Sequence, residues 1–135
     1  ELKRNATRVP RGNGTLLDDP DFRSRLAMLE IDLMATEFTE LRSLAAAQSG
    51  AAPGPESSIL KLKGTEIQQR IQKLTVDAAG IYAAAWGGAG AGPKFARSGM
   101  SGYLSSRAYT IYGGASEVQK DVIAKNVLGI KRSAT

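Results

Sequence analysis

The 135-residue chain contains no cysteine and no histidine. Their absence removes thiol nucleophiles, disulfides, Cys/His metal sites and every imidazole-based triad. Acid–base chemistry within these residues would have to come from Asp, Glu, Tyr or Lys. A metal held by carboxylates alone would need clustered acids, and none recurs at the ligand spacing of metal-binding bundles, so no metal is expected. Aromatic residues make up only 6% of the chain, which leaves most packing to aliphatic side chains and alanine. No run of 18 apolar residues is present to form a transmembrane helix. A secretory signal is not expected either, and a cytoplasmic location is.

What remains is an ordinary globular composition, 42% apolar and 23% charged, in a length that suits one domain with a real core. The formal charge is +5 and the pI about 9.7. The positive residues are dispersed, with small groups at Lys3/Arg4/Arg8/Arg11 and Lys131/Arg132. No basic stripe is interleaved with stacking aromatics, so no nucleic-acid partner is expected. The same charge suits a phosphorylated small molecule. The chain opens on Glu1 inside a charged helical segment and is expected to be a piece of something longer.

Taken in order, residues 1–17 read as the end of a preceding helix and a loop, because Pro10 and Gly12-Asn13-Gly14 break any helical pattern. Residues 18–135 read as a helical bundle. Its first long helix starts with Asp19 as N-cap and Pro20 in the first turn and runs to about Ala47. Two apolar stripes mark it: Phe22, Leu26, Leu29, Leu33, and Ile31, Met34, Phe38, Leu41, Ala45. A helix apolar on two sides packs against more than one neighbour. After a Pro/Gly/Ser connector, a second helix runs from Ser57 or Ser58 to about Ala85 along a seam of Leu60, Gly64, Ile67, Ile71, Leu74, Ala78 and Ile81. Gly64 and Ala78 on that seam are expected to admit a neighbouring backbone. Asp77 and Tyr82 near its end read as solvated or capping residues. Trp86 is expected to anchor packing, and the glycine-rich run around it fails both nucleotide-loop patterns on context. A third helix is predicted over Phe95–Thr110, weakened by Gly99 and Gly102. With no strand-period segment, the fold class is all-α, an antiparallel four-helix bundle.

The fourth helix belongs to the stretch Tyr109–Leu128, Y-T-I-Y-G-G-A-S-E-V-Q-K-D-V-I-A-K-N-V-L. Gly113-Gly114 permits positive φ or the close approach of another group. Ser116 stands three residues before Gln119, the spacing of a capping box. Val118, Val122, Ile123, Val127 and Leu128 follow at helical spacing, with Gly129 placed to close the end. Glycines before a helix start bring backbone N–H groups to an anionic or carbonyl-bearing ligand. They serve equally well as a tight turn between bundle helices.

The longer stretch Ser105–Ile130, S-S-R-A-Y-T-I-Y-G-G-A-S-E-V-Q-K-D-V-I-A-K-N-V-L-G-I, resembles the C-terminal signature of the acyl-CoA dehydrogenase family. The resemblance covers about residues 18–131 in helix order. It implies an FAD-dependent oxidoreductase that dehydrogenates an acyl-CoA thioester between its α and β carbons. A carboxylate removes the α proton there while the flavin takes a hydride. This chain would then supply part of the flavin site and the interface of a homo- or hetero-oligomer, a dimer or tetramer. By the same resemblance Ala115, Ser116, Glu117 and Arg11 are expected to bind the cofactor and Gly114 the acyl-CoA substrate.

Gly113 stands where many relatives carry the catalytic Glu, so no catalytic base is assigned within the chain. Ala115 replaces the usual Thr. Gly80-Ile81-Tyr82-Ala83-Ala84 replaces a Q-x-x-G-G-x-G stretch that touches the neighbouring subunit's flavin. An alternative is therefore a non-catalytic oligomerisation or partner subunit that has lost the base and much of the flavin site.

Overall fold

The computed structural model describes residues 1–50, 54–84 and 92–130. The order is α1 (Leu2–Ala6), a hairpin of β1 (Pro10–Arg11) and β2 (Gly14–Thr15), then the long helices α2 (Pro20–Gln48) and α3 (Glu56–Ala79), then α4 (Gly99–Ser105) and α5 (Ser116–Asn126). The all-α expectation is met. The hairpin is the exception within residues 1–17: it pairs Pro10 with Thr15 and Arg11 with Gly14. Two-residue strands are too short to show a period of two, and Gly12 at φ 56 closes the turn between them. Trp86, Lys131 and Arg132 lie outside the described residues.

The start of α2 follows its sequence. One Asp19 carboxylate oxygen accepts from the backbone N–H of Asp21 at 3.0 Å and of Phe22 at 3.1 Å. Asp18 accepts from both the N–H and the hydroxyl of Thr15, at 2.8 Å each, and fixes the 3-10 turn that precedes α2. These bonds hold both carboxyls below their ordinary pKa, the Thr15 N–H dominating for Asp18 and the Phe22 N–H for Asp19.

Two predicted helices are shorter than their patterns suggest. The second ends at Ala79, where Gly80 at φ 55 turns the chain into a 3-10 segment, Gly80–Ala84. The third is divided into a 3-10 turn (Lys94–Ser98), α4, and a second 3-10 turn (Ser106–Thr110). Its glycine- and serine-rich composition resists a continuous α-helix. A Cβ at Gly102 would come within 2.6 Å of the Gln72 side-chain oxygen on α3, which would have to shift.

The chain forms two compact units. The first comprises residues 1–32 and 67–107 and holds the apolar core. Phe22, Leu26 and Leu29 of α2 are buried in one cluster with Ile67, Leu74 and Ala78 of α3 and with Ala6 and Leu16. A smaller cluster joins Ala79, Ala83 and Ala96. Ion pairs surround the core: Lys3 to Glu30 at 3.0 Å, Arg70 to Asp32, and Arg25 to Asp77. Ile81, expected on the seam, is instead 85% exposed because the Gly80 break takes it off the helix.

The second unit comprises residues 33–66 and the chain from 108 onward. Gly64 is exposed, and among the described residues nothing lies within 4 Å of a Cβ added there. No residue of α5 is buried. Of the second α2 stripe, Met34, Phe38 and Leu41 are each more than half exposed, as is Leu44 beside them.

Candidate functional site

The stretch after the last 3-10 turn begins with an edge-on pair of rings, Tyr109 and Tyr112, 5.6 Å apart. Lys61 Nζ donates to the Tyr109 carbonyl at 3.1 Å, and the Thr65 hydroxyl reaches the same oxygen at 3.5 Å while donating to the Lys61 carbonyl at 2.8 Å. A lysine of α3, with a buried threonine beside it, thus satisfies a carbonyl at the end of a 3-10 turn, where carbonyls lack backbone donors. No sequence signal announced this clasp.

Gly113 at φ 70 and Gly114 at φ 91 then reverse the chain. Ala115, at φ −56 and ψ 150, is the residue before the helix. The capping box read at Ser116 and Gln119 does not form. Ser116 is already the first helical residue, and the Gln119 amide turns back to the Gly113 carbonyl at 3.4 Å. The two glycines bring the chain to helix geometry one residue earlier than the pattern implies, so the cap position falls on Ala115. The first backbone bond of α5 is from Gln119 N–H to the Ala115 carbonyl at 3.0 Å. The N–H groups of Ser116, Glu117 and Val118 therefore have no partner inside the helix. They leave a positive dipole end bearing one acidic side chain, Glu117. At Gly113 a Cβ would meet nothing within 4 Å, but the left-handed backbone favours glycine.

Arg11 belongs to the first unit and lines a cleft there of about 680 Å³. Its walls come from α1 and the turn after it, the hairpin, the end of α3, the 3-10 segment that follows it (Gly80–Tyr82), and Pro93–Phe95. Arg11 itself is engaged, its Nε donating to Asp19 at 3.4 Å. At the cleft wall Asp77 is held by Arg25 and Lys73. Burial acts to raise the Asp77 pKa, but the hydrogen bonds from Lys73 and Arg25 outweigh it and set the carboxyl below its ordinary value. A group lowered on folding stabilises the fold at pH values above its unfolded pKa, and that contribution is lost as pH falls through the folded pKa. Asp77→Asn should therefore be less stable than wild type at neutral pH, with the two thermal unfolding curves converging as pH falls below about 4. Circular dichroism melts between pH 7 and pH 2 check this, and a pH-independent gap would show that the ion pairs are not its source.

Among the described residues no group of three or more acidic side chains is arranged to hold a metal ion, and no helix is long and apolar enough to cross a membrane.

The described residues thus form an all-α domain whose last helix opens on a Tyr112-Gly113-Gly114 turn. The family model for the acyl-CoA dehydrogenase C-terminal domain matches residues 1–128, and the chain belongs to that family. It is 31% identical over 115 residues to acyl-CoA dehydrogenase IpdE1 of Mycolicibacterium smegmatis, an alignment covering 85% of this chain and 27% of that protein. IpdE1 of Mycobacterium tuberculosis is 56% identical over 32 residues, which is 24% of this chain and 8% of that one. The crystal structure of the ChsE4-ChsE5 complex from Mycobacterium tuberculosis superposes with a TM-score of 0.79 at 25% identity, covering 98% of this chain and 34% of that one. The chain thus spans roughly a quarter to a third of the length of these relatives.

Proposed function

We propose that this chain is the C-terminal bundle of an FAD-dependent acyl-CoA dehydrogenase that works in an oligomer, and that it contributes to the flavin site without contributing the base. The observation that carries this reading is the α5 entry: two positive-φ glycines followed by three unpaired N–H groups at a helix start, within a sequence that matches the family across residues 1–128. That donor set suits a phosphate or a polarised carbonyl oxygen. Ala115, Ser116 and Glu117 would face the cofactor through these N–H groups, and Gly114 would admit the thioester, having no side chain to obstruct it. Bound FAD supplies the hydride acceptor. Gly113 offers no side chain to take the α proton, so the carboxylate that does so comes from outside these residues. The similarity to a protein from a two-component complex supports a heteromeric assembly, and we assign its location to the cytoplasm.

The full-length protein, purified alone and with its partner subunit, should show the visible absorption of bound flavin and reduce it on addition of acyl-CoA. Absence of flavin from every such preparation would overturn the reading. One observation favours a second function, that of a partner subunit without chemistry of its own: Gly113 has a backbone on which a glutamate is strained. Such a subunit would assemble with a flavin-bearing partner and leave its turnover unchanged, whereas a subunit that completes the flavin site would raise it.

A further inference from the structure

We propose that Lys61 is a positioning residue for the entry to α5: its ammonium holds the Tyr109 carbonyl and thereby sets the direction of the Ser116, Glu117 and Val118 N–H groups. The consequence for flavin rests on the acyl-CoA dehydrogenase reading; the clasp on the turn does not.

Packing does little to hold this segment. No residue of α5 is buried, and Ile111 and Tyr112 are 70% and 58% exposed. Gly113 and Gly114 are exposed as well, and both sit at positive φ, in the residue type with the widest backbone freedom. The Ile111 and Tyr112 N–H groups donate to the Ala108 carbonyl at 2.9 and 3.1 Å, but these bonds are local and close the turn on itself. The 3.1 Å bond from Lys61 Nζ joins the turn to α3. Thr65 adds less. Its hydroxyl has one proton, and the Lys61 carbonyl at 2.8 Å is a better acceptor for it than the Tyr109 carbonyl at 3.5 Å. The ammonium is therefore the effective donor.

Two further contacts carry the constraint across the glycines. The Tyr109 ring meets the Tyr112 ring edge-on at 5.6 Å, so the residue before the glycines is fixed through the residue that Lys61 holds. On the far side the Gln119 amide donates to the Gly113 carbonyl at 3.4 Å and ties the first turn of α5 to the glycine pair. Lys61, the two rings and Gln119 thus form a contiguous path from α3 to the start of α5. Lys61 is half-buried and forms no ion pair with a described residue, so no carboxylate competes for its charge. A charged donor bonds a carbonyl more strongly than a neutral one does, and the more so away from water.

The test compares Lys61→Met, Lys61→Arg and Lys63→Met in the full-length protein with its partner subunit. Methionine keeps most of the side chain's length and removes the donor, whereas arginine keeps the charge and a donor. Lys63 is the control, an exposed lysine on the same helix that pairs with Glu66 at 3.1 Å. Hydrogen exchange followed by mass spectrometry should show residues 109–118 exchanging about tenfold faster in Lys61→Met, the effect of losing one charge-assisted bond. Its helical circular dichroism should stay as in wild type. FAD titrated into the flavin-free protein should bind about tenfold more weakly to the same variant. Lys61→Arg should restore both readouts to within about threefold of wild type, since the guanidinium is a charged donor of different shape. Lys63→Met should match wild type in both. Equal exchange in Lys61→Met and Lys63→Met would overturn the inference. So would an arginine variant that behaves like the methionine one, or faster exchange with unchanged FAD affinity. Failure of the two proposals is separable. A protein that never binds FAD, yet exchanges faster in Lys61→Met alone, overturns the dehydrogenase reading and leaves the clasp in place.

Discussion

Replacing Phe22 with alanine is expected to destabilise the chain by about 3–5 kcal/mol, the usual cost of removing a buried aromatic ring and leaving a cavity. Phe22 is 3% exposed and packs in one cluster with Leu26, Leu29, Leu74 and Ala78. It also sits in the first turn of α2, where its own N–H is bound by the Asp19 cap. Ring and cap therefore act on the same turn, one through packing and the other through the backbone. A domain of this size has a total stability of about 5–15 kcal/mol, so the loss is a large fraction of it. Urea unfolding followed by circular dichroism should show the midpoint fall with the slope unchanged. A change below about 1 kcal/mol would mean the ring is not core. Phe38→Ala on the same helix serves as the contrast, because Phe38 is 64% exposed and exposed substitutions usually stay within about 0.5 kcal/mol.

The α2 core face was readable because periodicity and capping are local. Phe22, Leu26 and Leu29 recur at helical spacing, and Asp19-Pro20 marks the start within two residues. The same logic failed where conformation depends on something distant. Lys61 reaches a carbonyl 48 residues away, and neither residue has a neighbour pattern that announces the other. The side chain of Gln72 on α3 lies beside Gly102 of α4, a contact that no local pattern announces. Ser116 is an intermediate case. Its spacing from Gln119 fits a capping box, yet the cap is set by where the backbone leaves the two positive-φ glycines, and that point is Ala115.

The candidate site divides along the same line. The Gly113–Glu117 turn is contiguous, so the signature that identifies the family also contains the geometry. The cleft is assembled from α1, the hairpin, the end of α3 and the segment after Pro93. From the sequence Arg4, Arg8 and Arg11 stood out only as one small basic group in a dispersed charge, and Arg11 was singled out by the family resemblance. The structure separates Arg11, which has a carboxylate partner, from Arg8 and Lys94, which have none among the described residues.

A glutamate at position 38 should abolish assembly of the full-length protein while leaving the fold of the chain intact. Met34, Phe38 and Leu41 recur at spacings of four and three on α2, and all are more than half exposed. A contiguous apolar face of this kind marks an interaction surface, and the proposed oligomer provides the occupant. Within the isolated chain Phe38 is mostly solvent-facing, so thermal unfolding of that chain should shift little. At an interface the same carboxylate would be buried without a partner, which costs about 2–5 kcal/mol and weakens association by roughly thirty- to several-thousand-fold. Sedimentation or light scattering at micromolar concentration should then find wild type as a dimer or tetramer and Phe38→Glu as a smaller species with the same helical circular dichroism. Phe38→Leu, which keeps the face apolar, should retain assembly. If Phe38→Glu assembled as wild type does, this stripe would lie outside the interface, because an unpaired charge at the centre of a buried apolar face is not tolerated without loss of affinity.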